Sequence, residues 1–392
     1  MSMRVILLTV SAGAGHDAVC DVVKQEWEKR GAHCEVIDLF NCLPSLFKKT
    51  IPALYLSMVQ VVPPLWRFIY KKTNTPYSNP FLFRRALWQG ANHRMKISAP
   101  SIIIATHPLA TAVAAKAIRD KTFKQTPALY SLVTDYSFHG MSLTKEVTAV
   151  FLPDKNETHS LQRTYPFAQF IHGCISVHKK WFEKIDQLDL RQRLGLPIQG
   201  KIAAISGGKE GLLRYKEVIK SFEKEGKGVW TLLCFTGENH RAAKQLSTLK
   251  TKHDVRTFPY TPVFSDYVKA SDVLISKPGG VTMTEALAAN VPTIMTSPLP
   301  GQEEENEQRL KEHFVQSSIK QVGKKAELLV NNPKKMLSPS QVSTAELVDK
   351  MLLLYDGFEA KKQAYVGNGS LYRMNHILTM KQKQKEKGEF HT

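Results

Sequence analysis

The chain has no C-x-x-C pair and no cysteine cluster at metal-ligand spacing. Its five cysteines, Cys20, Cys34, Cys42, Cys174 and Cys234, are odd in number and scattered. This argues against a disulfide framework or a structural zinc site, and fits buried thiols in a reducing cytosol. The N-terminus MSMRVILLTV enters a strand directly, without the apolar run and cleavage site of a secretory signal. Zinc-finger spacing, RNP-like aromatics and a helix-turn-helix are all missing, which argues against nucleic acid as a partner. There is no internal repeat of short period. The largest gap is in negative charge: no Asp or Glu lies between Asp38 and Asp120. That window holds Lys48, Lys49, Arg67, Lys71, Lys72, Arg84, Arg85, Arg94, Lys96, Lys116 and Arg119, in a chain of formal charge +19.

Such a field attracts polyanions, and what lies inside the window favours an anionic bilayer. Leu43 to Asn74 reads LPSLFKKTIPALYLSMVQVVPPLWRFIYKKTN. Pro63-Pro64 breaks the apolar run, which is too short to span a membrane as a helix. Apolar and aromatic residues bordered by cations suit a segment lying among headgroups. Leu54, Tyr55, Trp66, Arg67, Lys71 and Lys72 are the expected contacts. The alternative is an ordinary core helix with a solvated basic rim.

With 392 residues, two domains are the natural expectation. Strand signals alternate with helical ones, which predicts parallel α/β architecture. The predicted strands of the first half are Arg4–Thr9, His33–Asp38, Ser101–Ala105, Ala128–Thr134 and Ala149–Leu152. Those of the second are Ile202–Ile205, Gly228–Phe235, Val255–Phe258, Asp272–Ser276 and Val291–Thr296. The halves read as two Rossmann-type domains, residues 1–180 and 181–355, followed by a helical and basic segment, 356–392. Neither carries G-x-G-x-x-G in its first turn.

The most informative stretch is SKPGGVTMTEALAANVPTIMTSPLPGQEEEN, Ser276 to Asn306. It reads as strand, glycine loop, helix, strand, Pro-Gly loop, helix. A helix that opens on a glycine loop after a strand offers unpaired N–H groups and a positive dipole end to an anion. Pro300-Gly301-Gln302-Glu303 repeats the arrangement at the next strand end, where open α/β sheets bind ligands. The first strand ends in Ser11-Ala12-Gly13-Ala14-Gly15-His16, placing an imidazole at a helix start. His107 in ATHPLA, and Asp135 and His139 in VTDYSFHG, also follow strand ends. Each of these four has a bland alternative as a cap or loop residue.

The two loops, Ser276, Lys277, Pro278, Gly279, Gly280, Thr282, Glu285, Ala286 and then Pro298, Pro300, Gly301, Gln302, Glu303, Asn306, resemble the donor site of GT-B glycosyltransferases. The resemblance is to the diacylglycerol glycosyltransferase family, which includes bacterial processive glucosyltransferases and plastid monogalactosyldiacylglycerol synthases. It implies two Rossmann-like domains facing across a cleft, with a C-terminal helix returning to the first. It implies that N–H groups of Gly279, Gly280 and Val281 hold a diphosphate. Glu285 would accept the ribose hydroxyls, and Gln302 and Glu303 the sugar hydroxyls. Ser206-Gly207-Gly208 resembles the glycine loop facing the phosphates, Gly15 of the first loop is a further expected donor contact, and Thr261 falls in the base-reading segment. His16 matches the family's catalytic base, and His107, Asp135 and His139 its acceptor region. Ser142 stands where the family shows Trp.

The expected donor is then UDP-glucose or UDP-galactose, and the acceptor diacylglycerol or glycosyl-diacylglycerol. The reaction would be an inverting transfer at the cytoplasmic face of a membrane by a peripheral protein. No D-x-D occurs, and neither metal nor cofactor is expected. Two other readings stay open. One is a GlcNAc transferase for a polyprenyl-linked acceptor. The other is a non-catalytic membrane-surface binding protein with a degenerate cleft.

Overall fold

A computed structural model describes residues 3–11, 14–43, 50, 57–59, 61–77, 81–225, 227–332 and 342–367. Leu54, Tyr55 and the tail from 368 lie outside the described residues.

Two sheets organise the chain, each of six parallel strands. The first runs β2-β1-β3-β4-β5-β6, with β1 Arg4–Thr9, β2 His33–Asp38, β3 Ile102–Ala105, β4 Ala128–Leu132, β5 Ala149–Leu152 and β6 Phe170–His172. The second runs β12-β11-β10-β7-β8-β9, with β7 Lys201–Ser206, β8 Trp230–Gly237, β9 Asp254–Pro259, β10 Val273–Ser276, β11 Thr293–Met295 and β12 Val315–Gln316. The central strands are near-continuous apolar runs. RVILLT, IIIA and VLIS are buried almost throughout, as strands covered by helices on both faces must be. All ten predicted strands are present. The short edge strands β6 and β12 were not anticipated.

The helices in chain order are α1 Ala14–Glu28, α2 Pro63–Thr73, α3 Phe81–Ser98, α4 Pro108–Arg119, α5 Lys155–Thr164, α6 Gln187–Arg193 and α7 Tyr215–Glu225. They continue as α8 His240–Ser247, α9 Phe264–Ala270, α10 Gly280–Ala289, α11 Gln302–Arg309, α12 Val322–Asn331 and α13 Thr344–Gly367. Pro108 sits at N1 of α4, where its missing N–H costs no bond. Asn290 ends α10 in the left-handed conformation, φ 54°, as a C-terminal Asn allows. The first turn of α13 touches the first domain, where Arg30 donates to the Ala345 carbonyl. No helix among the described residues is long and apolar enough to cross a membrane.

Strand order reverses direction once in each sheet, between β1 and β3 and between β7 and β10. At such a point neighbouring loops diverge and leave a crevice beyond the carboxyl ends of the strands. The loops there end in His16 and His107 on one side. On the other they carry Gly207-Gly208 and Lys277 to Gly280. The fold therefore brings the sequence motifs to two facing crevices.

Candidate active site

One cavity of about 180 Å³ joins those crevices. Gly15, His16, His107, Thr134 and Asp135 line it from the first sheet. Gly208, Ser276, Lys277, Gly279, Gly280, Val281, Thr282, Pro300, Gln302 and Glu303 line it from the second. Helices α1 and α10 both begin here, with a Cβ at Gly15 falling 3.0 Å from Val281 Cγ2. Two helix N-termini thus face one space, and their unpaired N–H groups and dipoles favour an anion.

His16 is held by a local network. Its Nδ1 lies 3.1 Å from the Thr106 carbonyl oxygen and 3.0 Å from Thr134 Oγ1. Thr134 Oγ1 also donates to the Thr106 carbonyl, at 3.2 Å. A carbonyl can only accept, so Nδ1 carries the proton and Nε2 carries the lone pair. Asp17 does not orient the ring. It accepts from Ser11 Oγ at 2.9 Å, and burial raises its pKa. His107 lies 5.1 Å from His16, ring to ring. It caps α4 by accepting from the Leu109 N–H at 3.1 Å, and burial together with the neighbouring His16 lowers its pKa well below the usual histidine range. His107 is therefore a neutral ring whose remaining N–H sits on Nε2.

The Gly-Gly loop has a different logic from the one its sequence suggests. Gly279 has φ −71° and ψ 134°, open to any residue. Gly280 is required by close approach of the first domain. A Cβ there would fall 2.3 Å from the Thr134 carbonyl oxygen and 2.8 Å from Asp135 Cα. Gly208 does need its φ of +76°. The Gly207 N–H is taken by Tyr215 Oη at 2.9 Å, and the Gly208 N–H donates to Ser206 Oγ at 3.3 Å, so both N–H groups are engaged within the loop.

Several expected ligand contacts are engaged with protein. Asp135 was expected to meet an acceptor. It instead accepts from Asn306 Nδ2 at 2.8 Å and from Gln302 Nε2. Asn306 is fully buried, and its amide also donates to the Pro278 carbonyl and accepts from the Tyr136 N–H. Its amide bridges the sheets, and its full burial leaves it off the cavity wall. His139 caps the turn Gly140–Ser142, and burial lowers its pKa to about 4. It packs 4.9 Å from the Tyr70 ring and is not part of the main cavity wall. Lys277 is buried and pairs with Glu303 at 2.9 Å, while Leu299 N–H donates to the same carboxylate at 2.7 Å. That pair fixes the Glu303 carboxylate at the cavity wall.

Glu285 is not part of the 180 Å³ cavity wall. Burial pushes its pKa up to about 8, against Lys180 and a hydrogen bond from Trp181. Lys180 Nζ reaches the Pro262 carbonyl at 2.7 Å, so Thr261 and Glu285 lie near one linker. Nothing in VHKKWFEK signalled that linker, since its role comes from where the chain crosses between sheets. Thr106 and Thr134 were missed for the same reason.

Trp66 and Arg67 were expected at a membrane. Here the Trp66 indole N–H donates to the Pro300 carbonyl at 3.1 Å, and Arg67 pairs with Glu304 at 2.6 Å. Both serve the Pro-Gly loop, because α2 turns its Trp66–Tyr70 side toward the second domain. Lys71 and Lys72 are exposed. Among the described residues no cluster of His, Cys, Asp or Glu is placed to hold a metal.

A 180 Å³ space is smaller than the roughly 300–1,000 Å³ of pockets that enclose organic ligands. In this arrangement Asp135, bridging to Gln302 and Asn306, ties the two walls of the cleft together.

Residues 16–164 match the model for monogalactosyldiacylglycerol (MGDG) synthase. Residues 202–353 match that for the glycosyltransferase family 28 C-terminal domain. A processive diacylglycerol β-glucosyltransferase of Bacillus pumilus is 26% identical over 313 residues, covering 77% of this chain and 79% of the relative. One from Bacillus cereus is 25% identical over 314 residues, covering 77% and 78%. Among solved structures, MurG of Acinetobacter baumannii aligns with TM-score 0.51 at 13% identity, over 90% of this chain and 95% of that one. Anabaena HepE in complex with UDP-glucose aligns with TM-score 0.51 at 12% identity, over 92% and 100%. The last two share the two-sheet fold, and the sequence matches carry the lineage. Together these matches support a GT-B glycosyltransferase related to the diacylglycerol glycosyltransferases.

Proposed function

We propose that this protein transfers a hexose from UDP-glucose or UDP-galactose to diacylglycerol or a glycosyl-diacylglycerol, with inversion, at an anionic membrane surface on the cytoplasmic side. The observation that carries the reading is the convergence on one cavity of a tautomer-fixed His16 and the N-terminus of α10. The acceptor oxygen attacks the anomeric carbon as its proton passes to His16 Nε2. The bond from the anomeric carbon to the UDP oxygen breaks, and UDP leaves with the electron pair. The Gly279 N–H is engaged by the Lys277 carbonyl at 2.9 Å, so the backbone N–H groups of Gly280 and Val281 stabilise that charge. Glu303, held by Lys277, accepts from a sugar hydroxyl. No step requires a metal.

The test is turnover with a panel of UDP-sugars, on anionic liposomes containing diacylglycerol, with the lipids resolved afterwards. A glycolipid formed from a UDP-hexose is expected. Product only from UDP-GlcNAc and a polyprenyl acceptor would replace the acceptor and donor assignments, and no UDP-sugar binding would remove the donor reading.

Glu285 gives this reading a pH signature. Its folded pKa is raised to about 8, so the carboxyl is protonated below that value. Ribose hydroxyls donate best to the carboxylate, so binding UDP favours loss of that proton. UDP affinity should therefore rise as pH increases through about 8. Titration calorimetry across that range checks this, and the same slope in Glu285→Gln would sink the ribose assignment.

A further inference from the structure

Helix α2 has two faces with different partners. On one, Trp66 Nε1–H donates to the Pro300 carbonyl at 3.1 Å. Arg67 grips Glu304 through Nε at 3.1 Å and Nη2 at 2.6 Å. Tyr70 Oη donates to Glu305 at 3.2 Å. The Tyr70 ring fills the space a side chain at Gly301 would need, 2.8 Å from its Cβ position, where φ is +84°. These contacts hold residues 300–305, whose Gln302 and Glu303 line the cavity.

The other face points into solvent. Val61, Leu65 and Phe68 are 76%, 47% and 59% exposed. Leu65, Phe68 and Lys72 fall at i, i+3 and i+7, one stripe of α2, and Val61 lies just before its start. Val62 and Lys71 flank it, both exposed, and α2 carries no acidic residue. Apolar side chains edged by cations, in a window of 81 residues without one carboxylate, complement an anionic lipid surface.

We propose that α2 couples the bilayer to the donor loop: lipid on its apolar face and closure of residues 300–305 around the nucleotide sugar favour the same placement of the helix. This rests on the membrane-surface reading and goes beyond it. A helix held by lipid keeps Trp66, Arg67 and Tyr70 in the pose that grips the loop. The cost of ordering that loop is then met before the nucleotide arrives. Linkage requires the same factor in the reverse direction, so nucleotide must tighten lipid binding equally.

The experiment measures UDP affinity of the full chain by calorimetry in buffer, with phosphatidylcholine vesicles, and with phosphatidylglycerol vesicles. All vesicles lack diacylglycerol, so acceptor binding does not enter. Vesicle partitioning is measured with and without saturating UDP. Phosphatidylglycerol should tighten UDP binding about fivefold or more, with an equal gain in partitioning when UDP is present. Arg67→Ala and Trp66→Phe should still bind vesicles and lose the coupling. Absence of vesicle binding overturns both the membrane-surface reading and this proposal. Vesicle binding with unchanged UDP affinity overturns the proposal alone. Undiminished coupling in both variants overturns the role given to α2.

Discussion

Turnover of the UDP-hexose falls by roughly 10²–10⁴-fold in His16→Ala, the range for loss of a general base, while UDP affinity and vesicle binding keep their wild-type values. The reason is the tautomer. The Thr106 carbonyl takes the proton on Nδ1, so Nε2 alone is free to receive the acceptor proton. Thr134→Val should cost less, because the carbonyl remains when the hydroxyl is removed. Its signature is a lowered kcat at unchanged UDP affinity, since the ring loses one of the two groups that position it. Steady-state kinetics with a radiolabelled donor measures both variants. Wild-type turnover in His16→Ala would remove His16 from the chemistry and leave the cleft without a base. A non-catalytic protein predicts no effect because no turnover exists to lose, so the wild-type assay decides that reading first.

Gly280→Ala should leave each sheet folded and prevent this approach of the two sheets. The new Cβ would stand 2.3 Å from the Thr134 carbonyl oxygen and 2.8 Å from Asp135 Cα, both backbone atoms that no rotamer change can move. Overpacking of this kind costs about 1–3 kcal/mol. Where this approach of the sheets is needed for reaction, that is a loss of roughly 5- to 140-fold in turnover at about 1.4 kcal/mol per factor of ten. Gly279→Ala is the control, since its Cβ meets nothing nearer than Glu303 Oε1 at 3.9 Å. Its effect should fall on UDP affinity, where the side chain crowds the approach of a phosphate to the backbone. Small-angle scattering should show Gly280→Ala expanded relative to wild type and Gly279→Ala unchanged. A compact and fully active Gly280→Ala would mean that the approach of α10 to β4 is not needed for transfer.

Local chemistry was legible in the sequence. Apolar runs such as RVILLT and VLIS announce buried parallel strands, because a strand covered on both faces has no polar side to show. Asn290 announces the end of α10, because few other residues tolerate the left-handed conformation found there. The strand-glycine-helix order of Ser276 to Thr282 announces the start of α10 at the cavity, because a glycine loop after a strand marks where a helix opens. Edge strands β6 and β12, three and two residues long, are too short to carry a period. What the sequence could not decide was which groups meet. Asp135 and Asn306 are 171 positions apart, and only the packing of one sheet against the other joins them in a bridge. His16 finds its orienting carbonyl 90 positions away at Thr106, whereas its neighbour Asp17 turns to Ser11. The sequence marked α2 as basic and apolar, a property of its residues alone. Which face grips residues 300–305 and which stays open was decided by tertiary structure, because a helix fixes the angles between its side chains but not the direction of its neighbours.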